Sequence, residues 1–327
     1  MKGFPTSVPL KISFLLLVWI VTKVTASIGD RSYVYQRCNH HCENANCTGT
    51  QLKIFREQQP FSHSLLRWSC EDECKYMCMW ITVDAFRKDG LKVPQFHGKW
   101  PFVRLYGIQE PASMIFSVFN GLAHLSIFYY RKLVPSSTHM YYVWHGAAIT
   151  AMNAWTWSTI FHCKDTDFTE KMDYFCAFSI VLYNTFTLAC RVLGTGTMYR
   201  PALVGLACVT LFIQHVSYLT FNKFDYGYNM QVNIGVAVCN MIGWLIWCFT
   251  MRRNRFVWKA VASIVGIQLL LCLELGDFPP FYWILDAHAL WHAGTWPLAF
   301  LWYSFIIDDA KFIQKTKPER VLPSKID

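Results

Sequence analysis

Long apolar stretches separated by short polar gaps recur from about residue 111 onward. Each stretch is close to the ~20 residues that a helix needs to cross a bilayer. We therefore predict an all-α membrane protein that forms a seven-transmembrane helix bundle. The predicted spans are 112–130, 140–161, 174–191, 201–220, 231–250, 259–276 and 283–306.

A shorter apolar run near the N-terminus is typical of a signal peptide. Lys2 and Lys11 precede the run 12–21, and small residues follow it up to Ala26. This order of charged, apolar and small residues predicts cleavage after Ala26. The alternative is a signal anchor that stays in the membrane. In both cases the chain that follows begins on the lumenal side.

Six cysteines lie in the predicted soluble domain 27–110. They are Cys38, Cys42, Cys47, Cys70, Cys74 and Cys78. An even number of cysteines after a signal peptide predicts three disulfides, whose pairing stays open. Zinc binding is the alternative, although the spacings differ from those of zinc ribbons. Asn46-Cys47-Thr48 is a glycosylation sequon, which also requires a lumenal location.

Composition and charge agree with a membrane protein. Of the 327 residues, 54% are hydrophobic and only 16% are charged, against about 25% charged in soluble domains. The net charge of +9 comes from basic residues in the connections and the tail that we predict to be cytosolic, as the positive-inside rule requires. No nucleic-acid-binding motif is present, so we expect no nucleic-acid partner. The predicted organisation is a signal peptide (1–26), a lumenal Cys-rich domain (27–110), the bundle (111–306) and a cytosolic tail (307–327).

Polar residues inside the predicted spans are candidates for a functional site, because they are costly in a membrane. Ser158 and His162 share one helix face near the end of the second span. Asp173 opens the third span, and His288 and His292 share one face at the start of the seventh. The alternation of the spans places all five residues in the lumenal third of the bundle.

Three histidines with an open fourth position are typical of a catalytic zinc site. Zinc would lower the pKa of a bound water and polarise a carbonyl oxygen. Asp173 would accept the proton of the water, and Ser158 would bind the water or the oxyanion. In an alternative scheme Ser158 is a nucleophile and His162 its base. His215 is a reserve ligand, and Asp286 either orients a histidine or caps the seventh helix.

These residues and their spacing resemble the site of the CREST superfamily of seven-span membrane hydrolases. Segments 93–102, 165–174 and 285–292 are similar to signatures of its PER-like family, and the six-cysteine region also fits. Their sequences are VPQFHGKWPF, DTDFTEKMDY and LDAHALWH. The resemblance implies that His162, His288 and His292 bind Zn²⁺ and that Ser158 and Asp173 complete the site.

The resemblance further implies a role in GPI-anchor fatty-acid remodelling. The expected reaction is zinc-dependent hydrolysis of the sn-2 acyl ester of GPI-anchored proteins at the lumenal leaflet, which gives a lyso-GPI. The expected partners are GPI-anchored proteins with their lipid moiety and membrane lipids. The expected location is the Golgi membrane, with the endoplasmic reticulum as a second location. The alternatives are a non-catalytic GPI-protein chaperone, a seven-span lipid receptor with a structural zinc, and a transporter.

Overall fold

A computed structural model describes residues 27–194, 199–222 and 224–316. The predicted signal peptide, 1–26, and residues 317–327 of the predicted tail lie outside the described residues. The described part is all-α and contains no strand, only three isolated β-bridges. The predicted fold class is therefore confirmed at the level of an all-α protein.

Five helices and three disulfides form the N-terminal domain. The helices are α1 (Ile28–Arg31), α2 (Tyr33–Asn46), α3 (Gly49–Gln58), α4 (Phe61–Leu65) and α5 (Cys70–Lys88). The disulfides are Cys38–Cys78, Cys42–Cys74 and Cys47–Cys70. The cysteines follow one another at about one helical turn, so the antiparallel helices α2 and α5 are linked along one face. The predicted three disulfides are confirmed, and zinc binding by these cysteines is excluded because all six thiols are consumed.

The sequence fixes the start of α5 through its cap. The Ser69 hydroxyl accepts a hydrogen bond from the Asp72 N–H at 3.1 Å, and the Asp72 carboxylate accepts one from the Ser69 N–H at 3.1 Å. This capping box satisfies two N–H groups that the first helical turn leaves unpaired. Acidic residues in the first turn and basic residues in the last turn also complement the helix dipole.

Eight helices follow. They are α6 (Pro111–Ala123), α7 (Ser126–Leu133), α8 (Tyr141–Cys163), α9 (Asp167–Leu193), α10 (Tyr199–Phe221), α11 (Tyr226–Thr250), α12 (Val257–Gly276) and α13 (Ala287–Thr316). Six of them close a ring in the order α6, α8, α9, α11, α12 and α13, with α13 packed back against α6. The helix α10 packs on α9. Four helices therefore surround one interior at the junction of α6, α8, α9 and α13.

Within the described residues, four helical stretches are long and apolar enough to cross a membrane. They are Pro111–Leu133, Asp167–Leu193, Tyr199–Phe221 and Tyr226–Thr250. This finding identifies a membrane protein but supports four of the seven predicted spans. The helices α8 and α13 have 23 and 30 residues, but histidine, asparagine and tryptophan side chains lower their hydropathy. The apolar part of α12 is the shorter stretch Val257–Leu273.

The N-terminal domain rests on one end of this ring. The Gln109 and Glu110 N–H groups donate to the carbonyl oxygens of Cys163 and His162 at the end of α8, both at 3.0 Å. The Val103 N–H donates to the Trp283 carbonyl oxygen, before α13, at 2.9 Å. The segment that joins α5 to α6 is thereby held against the ends of the helices that surround the interior.

Candidate metal centre

Three histidines from two helices meet in the interior of the ring. His162 lies in the last turn of α8, and His288 and His292 lie in the first two turns of α13. One nitrogen from each ring lies within 4.8 Å of the other two. His162 and His292 are each only 1% exposed. The structure thus brings together the three residues that the sequence analysis placed at one depth.

The hydrogen bonds of His162 leave one of its nitrogens available for a ligand. Its Nδ1 lies 2.8 Å from the Glu110 Oε2, and a carboxylate accepts hydrogen bonds, so Nδ1 carries the proton. In the neutral form of this imidazole the Nε2 carries the lone pair. It is buried and has no hydrogen-bond partner. A buried lone pair without a donor is unusual in a folded protein, and a cation would satisfy it.

His292 is held in a similar way by Ser117 of α6. The Ser117 hydroxyl donates to the Ser113 carbonyl oxygen at 2.7 Å and accepts from the His292 Nδ1, 3.1 Å away. The His292 Nε2 points at the His288 Nε2, 2.8 Å away. Ligation of a metal requires both Nε2 atoms to be unprotonated, so a cation would replace the proton in this contact.

The donor set fits zinc. Zn²⁺ binds imidazole nitrogen, and catalytic sites commonly use three protein ligands with one open position. Ligating histidines characteristically donate their second N–H to a carboxylate or another acceptor, as His162 does to Glu110 and His292 does to Ser117. The three histidines therefore meet the chemical requirements of a zinc site.

Ser158 and Asp173 lie beside the histidines. Ser158 is buried on α8, and its hydroxyl lies 3.2 Å from the Ser117 Oγ. Asp173 on α9 lies near enough to Ser158, His162 and His288 to interact electrostatically with all three. All five residues singled out from the sequence thus belong to one constellation. The ring of Trp155 forms one wall of it, 5.2 Å from the His292 ring.

Lys99, Glu110 and Asp165 form a chain of charges in which Glu110 is buried, and the sequence analysis missed Lys99 and Glu110. The Lys99 Nζ lies 2.6 Å from the Glu110 Oε1 and 2.9 Å from the Asp165 Oδ2. Burial alone raises the pKa of the Glu110 carboxyl, but Lys99 and His162 hold it well below its ordinary value. Burial lowers the pKa of Lys99, yet Glu110 and Asp165 raise it above the ordinary value of a lysine. Lys99 and Glu110 therefore stay ionised next to the three histidines.

Two further residues, which the sequence analysis named as possible members of the site, have other contacts. His215 is fully buried between α10 and α11, where its Nε2 donates to the Asn229 Oδ1 at 3.0 Å, and the structure does not bring it to the three histidines. Of the two roles left open for Asp286, the structure supports the cap, since its Oδ1 accepts from the Ala289 N–H at 2.8 Å.

The fold and the site define an all-α membrane protein with a buried three-histidine cluster and a disulfide-linked N-terminal domain. The chain belongs to the Per1-like family, whose match covers residues 60–310. The family predicted from the sequence motifs is thereby confirmed.

Relatives match almost the whole chain. A "GPI-specific phospholipase A2-like PGAP3" of Xenopus tropicalis is 48% identical over 305 residues, 92% of this chain and 96% of the relative. The Homo sapiens protein of the same description is 44% identical over 311 residues, 94% and 96% of the two chains. A Drosophila melanogaster "Post-GPI attachment to proteins factor 3" is 41% identical over 299 residues, 89% and 92% of the two chains. No solved structure matches the chain.

Proposed function

We propose that this protein remodels GPI anchors by hydrolysing their sn-2 acyl ester to a lyso-GPI, with zinc held by His162, His288 and His292. The observation that carries the proposal is the meeting of these three histidines, whose nitrogens lie within 4.8 Å of one another, beside Ser158 and Asp173. The names of the relatives, which refer to a GPI-specific phospholipase A2-like protein, support the substrate class.

The proposed setting is the lumenal leaflet of the Golgi membrane. Three disulfides support a lumenal N-terminal domain, because disulfides form and persist in oxidising compartments. The helices α8, α12 and α13 complete seven proposed spans, since each packs within the ring beside membrane-length helices. The three histidines then lie near the lumenal surface, where the glycerol ester of a GPI lipid is located.

Each polar residue of the site has a proposed role in ester hydrolysis. Zinc, when bound, supplies a Lewis acid that polarises the ester carbonyl. In this proposal Asp173 takes a proton from the attacking water, and the neighbouring Ser158 hydroxyl helps to position the Asp173 carboxylate. The water oxygen bonds to the acyl carbon, the ester C–O bond breaks, and the glycerol oxygen receives the proton. The products are a free fatty acid and the lyso lipid.

Residues other than Ser158 and Asp173 hold the imidazoles in position. Glu110 accepts the His162 Nδ1–H and Ser117 accepts the His292 Nδ1–H, so both Nε2 atoms are directed to the cluster. Lys99 neutralises Glu110. The Ser158 hydroxyl contacts Ser117 and the His162 Nδ1 binds Glu110, which favours the water-based scheme over one in which His162 activates Ser158 as a nucleophile.

Expression in cells that lack their own form of the protein tests the proposal. The lipid composition of GPI-anchored proteins is measured after rescue with wild type, His292→Gln or His124→Gln. His124 is a matched control, because it is a partly buried histidine directly after α6 that contacts Tyr303 instead of the cluster. We expect rescue by wild type and His124→Gln but not by His292→Gln. Full rescue by His292→Gln at equal expression would support a chaperone or receptor role instead.

A further inference from the structure

Two tight turns of the chain present a tyrosine in the same unusual way. In the turn Leu105–Ile108 each end residue donates its N–H to the other, at 3.2 and 2.9 Å. In the turn Phe281–Leu285 the Phe281 N–H donates to the Leu285 carbonyl oxygen at 2.7 Å. The second residue of each turn, Tyr106 or Tyr282, has a φ of +53°. These two side chains are 88% and 89% exposed.

Neither the positive φ nor the exposed tyrosine ring is favourable for a protein in water. A φ in this region is disfavoured for a residue with a Cβ atom, and a fully exposed aromatic ring leaves its apolar surface hydrated. Tryptophans nevertheless hold both turns in place. The Trp68 Nε1–H donates to the Gly107 carbonyl oxygen at 2.8 Å, and the Trp283 ring packs edge-on against Trp80 at 5.1 Å. The turns are therefore rigid supports that project their tyrosines outward.

The position of the turns relates them to the membrane. Tyr106 precedes α6 by five residues and Tyr282 precedes α13 by five, a distance of about 18 Å at most for an extended chain. The helix α6 begins a membrane-length stretch, and α13 packs beside it. The hydrogen bond from Val103 to Trp283 joins the two segments. Both tyrosines therefore lie at the end of the bundle that holds Ser117 and His292.

We infer that Tyr106 and Tyr282 insert into the interfacial layer of the bilayer and anchor this end of the bundle against phospholipids. Tyrosine is enriched at this level because its ring is apolar and its hydroxyl stays hydrated. Phe281 and Leu105, 58% and 41% exposed, add apolar surface to the same turns. The helices that follow the two turns carry the site, so the anchor sets the depth of the histidine cluster relative to the lipid ester.

Site-specific photo-crosslinking of the full-length protein tests this inference without reference to catalysis. Benzoylphenylalanine is placed at Tyr106, Tyr282, Tyr129 or Tyr33, and the protein is reconstituted in phosphatidylcholine vesicles. Tyr129 lies in a membrane-length stretch and is the positive control. Tyr33 is 71% exposed on the N-terminal domain, without such a turn, and is the matched negative control. Phe281 provides a second position on its turn if the probe at Tyr282 prevents folding.

We expect lipid adducts, identified by mass spectrometry, at positions 106, 282 and 129, and at least a fivefold lower yield at position 33. Lipid adducts at position 129 with none at 106 and 282 would overturn the inference. Adducts of 106 and 282 to a GPI-anchored protein added to the vesicles, in place of lipid, would also overturn it and identify the turns as a protein-docking surface. An equal lipid yield at position 33 would contradict the specific role of the turns.

Discussion

The imidazole of His162 donates from its Nδ1 to Glu110, the residue directly before α6, across 2.8 Å. The backbone repeats this pairing, because the Glu110 N–H donates to the His162 carbonyl oxygen at 3.0 Å. The start of α6 and the end of α8 are thus joined at the site itself. Lys99, from the segment of the N-terminal domain that joins α5 to α6, binds the other Glu110 oxygen. The N-terminal domain is therefore connected to the orientation of a proposed ligand.

Glu110→Gln tests this connection. An amide accepts the His162 proton more weakly than a carboxylate, and it leaves Lys99 with one fewer negative partner. We expect the affinity for Zn²⁺ to fall about 10- to 100-fold, as is typical when such an outer partner is removed. Competition with a chromophoric chelator measures the affinity. Glu73→Gln is the control, since Glu73 pairs with Arg104 in the N-terminal domain. Equal zinc affinities for wild type and Glu110→Gln would refute the role of Glu110.

The substitution Asp173→Asn distinguishes a role of Asp173 as a general base from a purely structural role. Asparagine retains the size and can still accept from Ser158, but it cannot take up the proton of the water. We expect kcat to fall about 10²- to 10⁴-fold, with zinc content and melting temperature retained. Asp225→Asn is the control, because Asp225 caps α11 by accepting from the Tyr228 N–H, a task that asparagine performs. An unchanged kcat in Asp173→Asn would assign the proton transfer to another group.

Removal of the Cys47–Cys70 disulfide should destabilise the N-terminal domain. This bond closes the shortest of the three loops, with a sequence separation of 23 between its two cysteines. We expect Cys47→Ser/Cys70→Ser to lower the free energy of unfolding by about 2–5 kcal/mol, measured as proteolytic susceptibility of residues 27–110. Cys239→Ser changes an exposed free thiol and is the control. Equal susceptibility of the two variants would show that this bond contributes little to the fold.

The ion pair of Asp72 with Lys164 predicts a pH dependence of stability. Burial raises the pKa of Asp72, but the Ser69 N–H and Lys164 bind the carboxylate and bring the pKa below its ordinary value of 3.8. A depressed pKa means that the stabilisation is complete above the pKa of the unfolded chain and is lost as the pH falls through that of the folded protein. The melting temperature of wild type should therefore exceed that of Asp72→Asn from pH 7 to about pH 4, and the difference should shrink at lower pH. A difference that grew on acidification would contradict this assignment.

Helical periodicity and the predicted order of the spans selected five residues that the structure places near one another. Ser158 and His162, like His288 and His292, are one turn apart, and the predicted alternation of spans puts the two pairs at one level. Hydropathy supports four spans in the described residues. In α8 and α13 the polar residues of the candidate site lower the hydropathy by which a span is recognised, whereas the apolar part of α12 is short.

The partners of the histidines could not be predicted in the same way. Glu110 and Lys99 belong to an irregular segment, whose path back to the bundle depends on tertiary contacts rather than on periodicity. An acidic residue directly before the apolar start of α6 was the available signal for Glu110. Ser117 gives no such signal, because a serine in an apolar helix most often bonds its own backbone, as Ser117 also does to Ser113. The pairing of the disulfides likewise required the antiparallel packing of α2 and α5.

The release of fatty acid by purified protein tests the central proposal most directly. The full-length chain is reconstituted with a GPI lipid that carries isotopically distinct sn-1 and sn-2 acyl chains, and the released acids are identified by mass spectrometry. The account predicts release of the sn-2 chain alone, loss of release after removal of zinc by a chelator, and recovery when zinc is restored. Undiminished release from zinc-free protein would contradict the proposed role of the histidine cluster. No release from folded, zinc-loaded protein would contradict the proposed hydrolysis itself.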